Sequence, residues 1–314
     1  MTRLALVLLL SLCAAFVAEA PNDASPFGSG LFAFGERNNA AAASDYASGV
    51  NPLIAWRDLE PERGGYDWRL MDSLISQATE DGKTMVPRLL TNTSSVSQAT
   101  PDWFFDLPGA DFYYSSADAE SLGFKAPVPW DPLFHEEFGR FLEAFGERYN
   151  GNPTIEFLQT NAGGGLYGEV VLTIEDRLPV GWNPDRQLTG ITYWLERWTQ
   201  AFPDTNLALM VNPVGYDIGE RAAAYAVSLG VYLQQNTPWL SEDSITLLAE
   251  HQDETAIILE VEDVCRSAEG EAFEDMIRAV FSYGIAIDYL QLCPRTFDSA
   301  STAEMLPIIL RLLR

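Results

Sequence analysis

The sequence predicts an α/β fold, a single (β/α)8 TIM barrel, and three observations carry that expectation. Short apolar runs alternate with helical patterns along the chain, with eight strand candidates. No linker-like stretch interrupts them. The length of 314 residues suits one barrel of about 250 residues behind a leader. A doubly wound sheet is the competing arrangement, but neither G-x-G-x-x-G nor G-K-S/T occurs to support it.

Residues 1–20 read as a signal peptide. Arg3 gives a positive start, residues 4–12 are apolar, and Ala18-Glu19-Ala20 is an A-x-A cleavage signal. The apolar run is short for a spanning helix. The expected mature protein, residues 21–314, is therefore one exported barrel domain, secreted or periplasmic and free of the membrane after cleavage.

The expected strands are 31–34, 52–56, 84–89, 155–160, 207–211, 231–234, 256–260 and 286–292. Each is apolar on both faces, as buried parallel strands are. Helical patterns cover 134–149, 189–201, 217–228, 271–282 and 302–313. In the first of these, Phe134, Phe138, Phe141, Leu142 and Phe145 fall on one stripe that packs on a sheet. A long aromatic loop of about 45 residues follows strand three, and loops of that length usually serve function. It holds Trp103, Phe104, Phe105, Phe112, Tyr113, Tyr114 and Trp130. Most of these are expected to pack the loop onto the barrel. Trp130, stiffened by Pro127, Pro129 and Pro132, is the residue expected to stack on a bound ligand.

Composition narrows the function. Acidic residues outnumber basic ones 45 to 19, for a net charge of −26. Such a surface repels phosphate, so no nucleic-acid partner is expected. Two histidines, His135 and His251, cannot build a multi-histidine zinc site, and neither metal nor cofactor is expected. Of the basic residues only Lys83 and Lys125 are lysines, a balance that suits a salty habitat.

Chemistry must then come from carboxylates at strand C-termini. Glu169 follows strand four in a glycine-rich turn that brings backbone close to a ligand. Glu260 ends an apolar strand seven, where a carboxylate is costly unless it faces a polar cavity. Glu262 shares its face by the period-two alternation of strands. Arg57, Arg88, Gln159, Asn161, Asn212 and Gln235 also end or follow strands. Together they make a ring of hydrogen-bonding groups suited to a sugar, and Arg57 or Arg88 is expected to hold a catalytic carboxylate ionised.

Three segments resemble a known family. Trp56 to Trp68 reads W-x-x-x-E-P-x-x-G-x-Y-D-W, similar to the segment after strand two of many clan A glycoside hydrolases. Leu166-Tyr167-Gly168-Glu169 resembles the G-x-W/Y-G-E turn of barrels related to family 42 beta-galactosidases, and Val128-Pro129-Trp130-Asp131-Pro132 is also similar to that group. The resemblance implies an oligosaccharide or polysaccharide substrate and a retaining mechanism with Glu169 as acid/base. It makes Glu260 the nucleophile and Glu262 the rival for that role. Gly168 stands where clan A enzymes generally carry Asn, which keeps a catalytically silent carbohydrate-binding barrel as the alternative. Cys265 and Cys293 fall near the ends of neighbouring strands and are expected to lie within bridging distance, about 7 Å between Cα atoms.

Overall fold

The computed structural model describes residues 25–35, 39–92, 97–164, 179, 181–211, 217–236, 241–261, 271–298, 302 and 304–314. The leader, Glu169, Asn212, Glu262 and Cys265 lie outside the described residues. Strand one is Gly30–Phe34, and strand two has two segments, Gly49–Asn51 and Leu53–Ala55. Strand three likewise comprises Thr84–Met85 and Arg88–Leu90. Strands four to eight are Leu158–Gln159, Leu207–Met210, Tyr232–Asn236, Ile257–Val261 and Tyr289–Leu292.

These strands form one sheet, parallel throughout, which runs from Leu53–Ala55 through strands three to eight and one to Gly49–Asn51 and Thr84–Met85. Its two ends belong to strands two and three, which are already in the sheet, so it closes into an eight-stranded barrel. Pro52 and Pro87 interrupt those strands because neither has an amide hydrogen to donate. Their carbonyls stay in the ladder, accepting from the backbone of Arg88 and Gln159, both at 2.9 Å.

The ring of helices is uneven. Pro132–Tyr149 and Pro184–Ala201 each begin with Pro behind a capping residue, Asp131 and Asn183 respectively. Arg69–Glu80 and Glu242–His251 are helices beyond the five expected. Among the described residues, strand one is followed by a five-residue helix, Asn39–Ala43. Strand two starts earlier than its pattern suggested. Strand six starts one residue later than expected and ends two residues later, at Asn236. The expected last helix narrows to Leu306–Leu312.

Side chains alternate between two buried layers. Leu31, Ala33, Leu158, Leu209, Leu233, Leu259 and Leu290 belong to the layer shared with the helices. Phe32, Val86, Phe157, Ala208, Tyr232, Ile258 and Tyr289 fill the lumen. The lumen floor is aromatic: Phe157 lies 5.1 Å from Tyr289 and 6.0 Å from Tyr232 between ring centroids. The Tyr289 hydroxyl is held at the Phe27 carbonyl (2.7 Å) and Glu156 Oε1 (2.9 Å). Gly28 permits this closure, since its φ is +79° and a Cβ there would sit 2.6 Å from Tyr289 Oη.

Candidate active site

Two residues beyond five of these floor positions, the lumen turns polar. Val86 is followed at that interval by Arg88, Phe157 by Gln159, Tyr232 by Gln234, Ile258 by Glu260 and Tyr289 by Gln291. All five polar residues are buried. Strand periodicity therefore stacks a polar layer on an aromatic floor, on the side of the strand C-termini.

The layer is organised around Glu260. Arg88 Nη2 donates to Glu260 Oε2 in a buried ion pair, and Arg88 Nε donates to Gln159 Oε1. Gln234 Nε2 also donates to Glu260 Oε2 at 2.9 Å and reaches Gln291 Oε1 at 3.3 Å. Both donors therefore converge on one carboxylate oxygen, and Oε1 accepts no hydrogen bond among the described residues. Phe34 lies against the Arg88 guanidinium, 5.6 Å from its ring centroid. One oxygen is fixed and the other is available, an arrangement that orients a carboxylate for attack or for ligand binding.

The structure brings Arg88, Gln159 and Glu260 together and separates other expected site residues. Arg57 lies on the short helix Trp56–Leu59 and donates to the Gln98 carbonyl at 3.3 Å, so Arg88 alone pairs with Glu260. Gln235 falls on the opposite strand face from Gln234, the face of Leu233, and looks away from the lumen. The strand ends at Gln159, so the alternation does not carry to Asn161. That side chain ties Trp198 Nε1 (2.9 Å) to Thr91 Oγ1 (3.1 Å) and is spent on packing. Trp130 is half-buried against Tyr113, Ala126 and Val128. Gln234 and Gln291 were missed, although a glutamine amid Tyr289-Leu290-Gln291-Leu292 carries the same signal as Glu260: a polar group in an apolar strand needs a polar lumen.

The long loop is built to hold the mouth of the barrel. It contains a hairpin of Phe112–Tyr113 with Ala126–Pro127. The buried Tyr113 hydroxyl accepts from Asn92 Nδ2 at 3.3 Å and donates to the Gly164 carbonyl at 2.9 Å, and burial raises its pKa. Strand three, the loop and the turn after strand four are thereby joined. The conspicuous Trp56-to-Trp68 segment is a clamp. Fully buried Glu60 accepts from Trp56 Nε1 (2.8 Å), the Gly64 amide (2.7 Å) and Arg140 Nη2 (2.7 Å). Arg140 also pairs with buried Glu137 at 2.8 Å, on the helix Pro132–Tyr149. Among the described residues no group of three or more His, Cys, Asp or Glu side chains could hold a metal ion, and no helix is long and apolar enough to cross a membrane.

Solved structures share this fold at low identity. A beta-galactosidase from the psychrophilic Marinomonas ef1 aligns with a TM-score of 0.57 and 12% identity, covering 90% of this chain. The chain spans only 59% of that enzyme's length. A psychrophilic glycoside hydrolase family 10 endo-beta-1,4-xylanase aligns with a TM-score of 0.51 and 11% identity, covering 85% of this chain and 86% of its own. No curated protein matches the chain. At these identities the likeness shows the fold, a (β/α)8 barrel like that of these two glycosidases. Within that fold, residues 48–166 match the glycoside hydrolase family 42 model, described as Beta-galactosidase. That segment holds strands two to four, the clamp and the long loop.

Proposed function

We propose that the protein is an exported, retaining glycosidase in which Glu260 is the nucleophile and Glu169 the acid/base. The observation that carries this reading is the Glu260 carboxylate, with Arg88 and Gln234 on Oε2 and no hydrogen bond on Oε1 among the described residues. Oε1 attacks the anomeric carbon while Glu169 protonates the leaving oxygen. Water then hydrolyses the glycosyl-enzyme, with Glu169 acting as base. Retention requires the two carboxyl groups about 5–5.5 Å apart. Gln159 joins substrate binding from the same layer, and Asn212, Glu262 and Trp130 are further substrate-binding residues. Residues 1–20 are a cleaved leader, residues 21–314 the catalytic barrel, and the protein works outside the cytoplasm on an oligosaccharide or polysaccharide.

The test is a panel of aryl β-galactosides and β-xylosides, assayed for chromophore release and for binding. Wild type releases chromophore from at least one. Glu260→Gln binds that glycoside normally and loses about 10³-fold or more in kcat, while Glu262→Gln loses less. Binding without release by wild type overturns hydrolysis and leaves the silent carbohydrate-binding barrel, the reading that Gly168 favours.

A further inference from the structure

The polar layer contains more hydrogen-bonding capacity than its own side chains use. Gln159, Gln234, Gln291 and Asn51 are 3%, 0%, 1% and 0% exposed. Each has one polar atom without a partner: Nε2 of Gln159 and Gln291, Oε1 of Gln234, and Oδ1 of Asn51. A buried group left unpaired gives up its hydration with nothing in return, so four in one barrel are a substantial load.

Turning the amides over does not remove it, because their neighbours fix each orientation. Arg88 Nε is a donor, so Gln159 must present Oε1 to it. The Glu260 carboxylate accepts, so Gln234 must present Nε2. That same Nε2 then requires Oε1 of Gln291. Asn51 Nδ2 donates to the Val86 carbonyl at 3.0 Å, across from strand two to strand three, which leaves its oxygen over. The unpaired set therefore contains two donors and two acceptors. A cation would serve only the acceptors and an anion only the donors. A sugar entering from the mouth meets Glu260 and Gln159 first and leaves Gln234, Gln291 and Asn51, at most 1% exposed, out of its reach.

We infer that the lumen around the Arg88–Glu260 pair binds ordered water, bridging the amide donors of Gln159 and Gln291 to the amide oxygens of Gln234 and Asn51. Water both donates and accepts, and a buried molecule typically makes two to four such bonds. These waters are a permanent part of the barrel. They brace Gln234 and Gln291, the relay that holds Glu260 Oε2, from the side opposite the carboxylate.

The site is tested on the full-length protein without any substrate. A high-resolution crystal structure shows water peaks within hydrogen-bonding distance of Gln159 Nε2, Gln291 Nε2 and Gln234 Oε1. In solution, oxygen-17 relaxation dispersion counts long-lived internal waters. Gln291→Leu loses at least one relative to wild type, while the surface control Gln200→Leu loses none. Gln159→Met supplies the same comparison should Gln291→Leu fail to fold. A dry lumen, amides re-paired with one another, or an unchanged count overturns the inference. An anomalous peak in the lumen after a bromide or rubidium soak also overturns it, since the site would then select an ion.

Discussion

At the scale of single residues, the Arg88–Glu260 pair dominates the chemistry. Both side chains are buried, 2% and 4% exposed, so each is stabilised by the other more than by water. Arg88→Met leaves Glu260 as an unpaired buried carboxylate and is expected to destabilise the fold by about 3–5 kcal/mol. Adding Glu260→Gln to that variant should restore part of the loss, and a double-mutant cycle by urea denaturation measures the coupling. His135 gives a separate residue-scale expectation. It is half-buried, stacked on Tyr193 at 3.9 Å between centroids, and its Nε2 donates to the Pro129 carbonyl at 2.9 Å. Desolvation lowers its pKa below the usual 6.5, with Pro129 and Asp131 opposing. The unfolded chain thus binds a proton at that histidine more readily than the folded one. Stability is full above pH 6.5 and falls as the pH drops toward the lowered folded value. His135→Gln should flatten that part of the urea-midpoint profile, and an unchanged slope would assign it elsewhere.

At the scale of elements, the clamp between the strand-two loop and Pro132–Tyr149 shows how charge and aromatic packing share one task. Trp56 meets Phe138 at 5.1 Å and Trp103 at 5.5 Å between centroids, while Trp103 Nε1 donates to the Glu60 carbonyl at 2.9 Å. The long loop therefore rests on the clamp. Burial raises the Glu60 pKa despite the Gly64 amide and the Trp56 and Arg140 side chains that donate to it. Glu60→Ala leaves Trp56 Nε1 and the Gly64 amide without their acceptor, while Arg140 keeps Glu137, and should cost about 1–3 kcal/mol. Hydrogen exchange should then rise in residues 97–131 as well as in the clamp. Protection unchanged beyond residue 68 would show that the loop holds without it. The family-like segment was legible in the sequence, but not its part in the fold. Spacing identifies residues that recur together without saying that their partners lie on a helix some 80 residues later.

At the scale of the whole molecule, the net charge of −26 makes self-repulsion a standing cost of compactness. Raising NaCl from about 0.01 M to about 1 M shortens the Debye length from about 30 Å to about 3 Å. The Tm should rise by several degrees over that range, and a flat or falling Tm would show that repulsion is not limiting. Cys293 is disulfide-bonded, and Cys13 and Cys265 both lie outside the described residues. With Cys265 as partner, peptide mapping of unreduced protein should recover one linked pair. Reduction should then cost roughly 3.5 kcal/mol, the entropy of a closed loop of about 29 residues.

The sequence by itself determined the barrel, its buried strands and the placing of Glu260, because strand burial and period-two alternation are local properties of the chain. It also exposed Arg88 and Gln159 as polar groups in apolar company. Tertiary structure decided which of these groups meet. Arg57 and Arg88 look equivalent in sequence, yet only Arg88 faces the lumen, because a short helix carries Arg57 away. Gln234 and Gln235 are adjacent and chemically identical, and a strand running on to Asn236 fixes which of them reaches the carboxylate. Asn161 keeps its hydrogen bonds but spends them on Trp198 and Thr91, since the strand ends two residues before it. Ring closure is not local: it juxtaposes strands three, six, seven and eight around one carboxylate, and no pattern within a single strand encodes that meeting.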